Sequence, residues 1–482
     1  MMDLRPVGYI VGLLLIALGG SMAVPMAMDW FDGNSHYTVF ATTALLTAFT
    51  GGALVLSCAN GRTESLTIQQ SFLVTTVVWL ALPLFAALPF WFGATESRYV
   101  DAFFEAMSGL TTTGATVLSQ LDQLPRGLLL WRGLTQWFGG IGIIVVAMVF
   151  LPMLKVGGMQ IFRSEGFETF GKILPRAAEI ARSISTIYLG LTLVCALAFA
   201  ATGQSLFDAV VHAMTTISTG GFANGDNSFG EFGAGGEYVA IVFMLLAALP
   251  FVRYVQLVGG SARPLLNDSQ IRTFIMFVLF IIAALVLWRM TTSDSGFELA
   301  FRQSAFNGVS IITGTGFAST DYGLWGSFPM TVFFLIGLIG GCAGSTSCSI
   351  KIFRYQLLWA SIRAQIRKIH SPHGLFSPKF EGRPISEDVL SSVMAFFVLF
   401  MVSLAVLATL LGLTGLDMTT AISGAAAALA NIGPGLGERI GPSGNFAGLN
   451  DTAKWLLAAG MLIGRLELMS VYVLLTIGFW RR

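Results

Sequence analysis

The chain has 482 residues, 55% of them hydrophobic and 11% charged, with a formal net charge of +1. Soluble domains carry roughly 25% charged residues, so less than half that proportion over this length excludes a water-facing globular protein. No composition break marks off a separate soluble domain.

Apolar runs long enough to cross a bilayer recur along the chain. Spans are predicted at 7–28, 37–58, 71–93, 126–152, 183–201, 237–259, 271–290, 329–349, 389–412 and 453–480, which puts both termini on one side. Arg5 followed by an apolar run resembles a signal peptide, but the run continues to Met28, too long for a signal core. The fold class is therefore an all-α polytopic membrane protein. Its 55 glycines fit that class, because small residues let membrane helices approach closely.

Basic residues divide unevenly across these spans. Nineteen of the 27 Lys and Arg fall on the side of the termini, seven on the other side, and Arg465 lies mid-span. The positive-inside rule then places both termini in the cytoplasm. Acidic residues, including Asp29, Asp32, Glu96, Asp101, Asp122, Asp226, Glu231, Asp294 and Asp321, collect on the opposite face. An outer vestibule of negative sign concentrates cations. Cys58, Cys195, Cys342 and Cys348 show no metal-ligand spacing, and no disulfide is expected.

Four short stretches repeat one another: TTTGAT at Thr111–Thr116, ISTGGFA at Ile217–Ala223, ITGTGFA at Ile312–Ala318 and ANIGPG at Ala430–Gly435. Aligned on Gly114, Gly220, Gly316 and Gly433, they recur at intervals of 106, 96 and 117 residues. Each follows a half-length apolar segment: Asp101–Thr111, Leu206–Ile217, Glu298–Thr313 and Asp417–Ala430. Such segments cannot span as helices, and irregular backbone at membrane depth survives only where it is buried or lines a watery path. The expected unit is span, re-entrant loop, span, in four pseudo-repeats around a central pore. The division is two extra N-terminal spans in 1–70, then repeats at 71–155, 156–262, 263–383 and 384–482.

An ion crossing a membrane must exchange water for protein oxygens, and rings of backbone carbonyls supply them without fixed charge. None of the four motifs contains a carboxylate, which suits a monovalent cation better than calcium or magnesium. An intramembrane enzyme would need converging nucleophiles, acids or metal ligands, which these motifs lack.

Two further features admit two readings each. Gly337–Ser349 is rich in Gly, Ala and Ser where a spanning helix should continue, either a break in the path or a close-packed seam. Arg465 is either a cation barrier or one half of a structural pair with Glu467 or another acid. His212 reads as a hydrogen-bonded structural histidine rather than a proton relay. The basic stretch Lys351–Lys368 docks a partner or faces anionic lipid. No nucleotide-binding motif occurs, so no nucleotide is expected to bind this chain.

The motifs TTTGAT, STGGF, TGTGF and NIGPGLG, the segment GLIGGCAGSTSCSIKIFR at Gly337–Arg354, and IGRLE at Ile463–Glu467 resemble the TrkH family of the Trk/Ktr/HKT superfamily. The resemblance covers essentially the whole chain. It implies a gated, potassium-permeating subunit of the bacterial inner membrane, not an enzyme. The implied partners are a second copy in a homodimer, a cytoplasmic nucleotide-binding regulatory ring and membrane lipid, with no nucleic acid. Coupling of potassium to protons or sodium is the alternative within transport.

The resemblance places the potassium-binding filter at Thr112, Thr113, Gly114, Ser218, Thr219, Gly220, Gly314, Thr315, Gly316, Asn431, Ile432 and Gly433. It places the gate at Gly340, Gly341, Cys342, Ala343, Gly344, Ser345, Thr346, Ser347 and Arg465.

Overall fold

The computed structural model describes residues 2–61, 66–150, 157–159, 161 and 177–481. The boundary expected between the first two repeats, at 155/156, lies outside them, as do the basic residues Arg62 and Arg482.

The first span, Arg5–Phe31, lies against Tyr37–Ser57. The approach is close enough that a Cβ on Gly12 would sit 2.7 Å from the Gly51 carbonyl oxygen, and one on Gly51 equally close to Gly12. This is the small-residue packing that membrane helices favour. Asp29 fastens the pair to the rest of the molecule, accepting the Gly127 amide at 2.6 Å and lying 2.8 Å from His36 Nδ1.

Four short helices follow the pattern expected of re-entrant segments: Tyr99–Leu110, Leu206–Ile217, Phe297–Thr313 and Met418–Ala430. With 12, 12, 17 and 13 residues, they are about 18 to 26 Å long at 1.5 Å per residue, short of the bilayer's roughly 30 Å core. Their N-termini are capped or acidic. Ser205 accepts the Asp208 amide, Asp417 accepts the Thr420 amide, and Asp101 and Glu298 sit in first turns. Negative charge is favourable there, and the opposite, carbonyl-bearing ends converge inside the protein.

The longer helices close a ring around these four. The helix after each pore helix packs on the next pore helix: Arg126–Val145 on the second, Gly233–Ala247 on the third, Ser327–Gly337 on the fourth and Asp451–Arg465 on the first. Buried ion pairs stitch two of the seams. Lys454 reaches Asp101 at 2.5 Å, joining the fourth unit to the first, and Arg302 pairs with Glu237 between the third and second.

Among the described residues, seven helices are long and apolar enough to cross a membrane, or nine when each of two bent pairs is counted as one. Three predicted spans are not straight. The span expected at 237–259 turns by 90° between Gly233–Ala247 and Phe251–Val258. Pro250 at that corner has no amide to continue the ladder. The span expected at 329–349 is helical only over Ser327–Gly337 and resumes as Ile352–His370. Between them the chain folds back, and Ile339–Gly340 pairs in parallel with Ile350–Lys351. The span expected at 453–480 breaks after Arg465 by 103°, where Glu467 and Leu468 take left-handed φ of 57° and 49°.

Candidate functional site

All four pore helices end in one backbone device. A residue in the left-handed region follows the helix: Thr112, Thr219, Gly314 and Asn431, with φ of 51°, 50°, 78° and 52°. The next amide then returns to the carbonyl five residues back. Thr113 donates to Ser108, Gly220 to Thr215, Thr315 to Ser310 and Ile432 to Ala427, at 2.8 to 2.9 Å. These bonds fix which residues are equivalent. The glycines one step further on are Gly114, Gly221, Gly316 and Gly433.

The sequence alignment on Gly220 is therefore one residue out of register. The second loop's triplet is Thr219–Gly220–Gly221, and Ser218 remains in the helix cap with its Oγ donating to the Thr215 carbonyl at 3.2 Å. The signal was present in the sequence, since Phe222 and Phe317 both directly follow the equivalent glycine. Aligning on the first glycine of a Gly-Gly pair missed it.

The four glycines meet in loop order. A Cβ on Gly114 would strike the Gly220 carbonyl oxygen, and one on Gly221 would strike that of Thr315. A Cβ on Gly316 would lie 2.8 Å from Gly433 N, and one on Gly433 would lie 2.9 Å from the Gly114 carbonyl. Gly114, Gly221 and Gly316 also hold φ between 78° and 85°, a region closed to most side chains. Outside the ring lies a vestibule of about 270 Å³ lined by Gly114, Gly221, Gly316, Gly433 and the four return segments.

Each return segment is held by its own pore helix in the same way. The amide five residues after the left-handed position donates to a side chain in the helix above. Val117 donates to Glu105 at 3.0 Å, Asn224 to His212 Nε2 at 3.3 Å, Ser319 to Asn307 at 3.2 Å and Leu436 to Ser423 at 2.9 Å. His212 is thus a structural acceptor, with Nδ1 facing Gln204 Oε1 at 3.2 Å. An amide donating to Nε2 requires that nitrogen to be unprotonated, so the ring is neutral in this arrangement.

Sequence reasoning missed two supports. Gln136 spans the second loop, donating to the Gly220 carbonyl at 2.6 Å and accepting the Phe222 amide at 3.0 Å. Buried Arg132 joins the first two loops, donating to Glu105 at 2.8 Å and to the Ala223 carbonyl at 2.7 Å, with its guanidinium 4.2 Å from the Phe222 ring centre. A Gln and an Arg inside a predicted span were the available signal.

Beneath the ring lies the fold-back of the third unit, with Gly340–Ser347 entirely buried. Its polar groups are bound from several sides. The Cys342 amide donates to the Ala248 carbonyl at 3.0 Å, Thr346 Oγ1 to the Ala247 carbonyl at 3.0 Å, and the Ala343 amide to Gln270 at 3.0 Å. Cys348 and Ser349, just beyond the predicted gate, make its contacts with the ends of the first and fourth short helices. Cys348 Sγ is 3.8 Å from Thr112 Oγ1, and the Ser349 amide donates to the Ala430 carbonyl at 3.1 Å.

Arg465 reaches this fold-back from the last unit. It donates to the Thr346 carbonyl at 3.5 Å, to the Gly139 carbonyl at 3.2 Å and to Cys348 Sγ, and is 3% exposed. Among the described residues no carboxylate lies within ion-pairing distance of it. Glu467, the acid considered as its partner, pairs instead with Arg354.

A sequence profile described as "TrkH: Cation transport protein" matches residues 35–479. The chain is 43% identical to the Trk system potassium uptake protein TrkI of Halomonas elongata, over 99% of this chain and 97% of that relative. It is 37% identical to the TrkH protein of Escherichia coli strain K12, with both chains fully covered. The crystal structure of the potassium transporter TrkH from Vibrio parahaemolyticus superposes with a TM-score of 0.91 at 34% identity, covering 100% of both chains. The chain belongs to the TrkH family of cation transport proteins.

Proposed function

We propose that this chain is the ion-permeating, gated subunit of a Trk-type potassium uptake system, lying in a bacterial inner membrane with both termini cytoplasmic. The observation that carries the reading is the ring of four equivalent loops, closed in sequence order and free of carboxylates. Carbonyls held at the inner ends of four pore helices replace the water of a weakly hydrated monovalent cation, aided by the partial negative charge of those ends. The filter comprises Thr112–Gly114, Thr219–Gly221, Gly314–Gly316 and Asn431–Gly433. Relatives named as potassium uptake proteins support potassium as the ion.

Gly340–Ser347, extended by Cys348 and Ser349, acts as the gate, with Arg465 as an electrostatic barrier below the filter. The chain works as a homodimer under a cytoplasmic ring that binds the nucleotide. Cation flux into proteoliposomes holding this chain alone tests the reading, with potassium and rubidium entering faster than sodium and lithium. Equal rates for all four ions overturn the filter assignment.

A further inference from the structure

A second cavity shares no lining residue with the vestibule of the four-loop ring. It encloses about 850 Å³ between the start of the spanning helix Ser269–Thr292, the helix Ile352–His370 that follows the fold-back, and the hairpin at Lys379–Pro384. Its lining carries three basic residues, Arg363, Arg367 and Lys379, together with apolar ones that include Phe277, Ile339 and Trp359. Its one acid, Glu381, is occupied by Ser269, whose hydroxyl donates to it at 2.6 Å.

Depth is set by the spanning helix. Ser269 opens that helix and lines the cavity beside Glu381, and Phe277 lies about 12 Å further along at 1.5 Å per residue. The cavity therefore runs from the membrane–water boundary into the hydrocarbon. Around Phe277, the side chains of Met276, Leu279 and Phe280 are 64%, 60% and 66% exposed, an apolar strip of the kind that faces hydrocarbon. Arg363 lies 5.3 Å from the Trp359 ring, which orients its guanidinium. Gln356 Oε1, on the wall, is buried without a hydrogen-bond partner.

We infer that this cavity is a binding site for an anionic phospholipid, its phosphate held by Arg363, Arg367 and Lys379 and an acyl chain laid along Phe277, Ile339 and Trp359. Charge complementarity selects the ligand, since basic pockets between membrane helices recognise anionic head groups. A headgroup hydroxyl, as in phosphatidylglycerol, supplies the donor that Gln356 Oε1 lacks. The site also touches the fold-back. Ile339 pairs with Ile350, and the helix bearing Arg363 begins two residues later, so a bound lipid braces the outer anchor of that segment.

The test uses the full chain in nanodiscs of phosphatidylcholine and phosphatidylglycerol in equal parts, with either lipid brominated. The quenching due to Trp359 is read as the difference between the intact chain and Trp359→Phe. Brominated phosphatidylglycerol should quench this component more than brominated phosphatidylcholine, the preference scaling as roughly fivefold per basic residue. R363Q/R367Q/K379Q should abolish the preference while leaving quenching by brominated phosphatidylcholine intact, which also reports that the variant is folded. Equal quenching by the two lipids in the intact chain overturns the site, as does a preference that survives the triple change. A Trp359 signal that ignores lipid but shifts when a soluble nucleotide-binding ring is added assigns the cavity to a protein partner instead. Both leaflets carry the same lipids, so the outcome is independent of membrane orientation and of ion flux.

Discussion

Glu467 forms its ion pair with Arg354, across 113 residues of sequence, although Arg465 stands only two positions away. The helix bends by 103° after Arg465, and the two side chains take different partners. Arg354 is wholly buried, also donating to the Gly157 carbonyl at 2.9 Å and lying 3.9 Å from the Phe396 ring. The two buried arginines Arg354 and Arg465 are thereby split, one paired with a carboxylate and the other with no carboxylate in reach among the described residues.

Arg465 is the charge-bearing one, and Arg465→Ala should raise potassium conductance without altering ion preference. A cation passing at about 4 Å is repelled by roughly 4 kcal/mol at an effective dielectric near 20, an upper-side figure given the water of an open path. Rubidium uptake by proteoliposomes measures the change. Unchanged or reduced flux in a folded variant assigns Arg465 a packing role.

Glu467→Gln should behave differently, because it strands the Arg354 guanidinium in a buried site. Breaking a buried pair from one side costs about 3 to 5 kcal/mol. The expected result is a lower melting temperature in detergent and reduced membrane yield, with the Arg354→Met/Glu467→Leu double variant recovering most of the loss.

Register in the second loop can be read from two adjacent glycines. Gly221→Ser should lower potassium-over-sodium preference as Gly114→Ser does, since both hold positive φ and abut a neighbouring loop's carbonyl. Gly220→Ser should act through Gln136, which its side chain would strike, and should lower thermal stability together with selectivity. Competition of sodium with rubidium uptake separates the variants.

Gln136→Leu removes a donor from the Gly220 carbonyl and an acceptor from the Phe222 amide. A buried polar group left unsatisfied costs about 1 to 3 kcal/mol. The second loop should lose definition, seen as weaker discrimination against sodium, while the fold persists. Preserved selectivity at a preserved melting temperature refutes the bracing role.

His212→Asn tests whether protons are carried. Asn307 performs the same amide-accepting role in the third unit, so the substitution should keep flux and its pH dependence unchanged. A shift of reversal potential with pH in the intact chain that vanishes in this variant would identify His212 as a relay.

The sequence alone determined the class of fold and marked out the four repeated loops. Apolar length and four spaced glycine motifs, three of them Thr-Gly, are local or periodic quantities on which membrane physics acts directly. The half-length helices were legible because 12 or 13 apolar residues are too few to span. Tertiary structure decided what depends on contacts between distant segments. The equivalence of Gly221 with Gly114 rests on which amide returns to which carbonyl, and a Gly-Gly pair by itself leaves that ambiguous, with only the Phe after each equivalent glycine in the second and third loops to mark it. The breaks at Pro250 and Glu467 were hidden because hydropathy averages across a bend as readily as along a straight helix, whereas the Gly-, Ala- and Ser-rich run after Gly337 marked the third break as one of two readings. The partner of Glu467 was decided by burial, since a desolvated carboxylate takes whichever cation the packed core presents to it, and sequence proximity carries no weight in that choice.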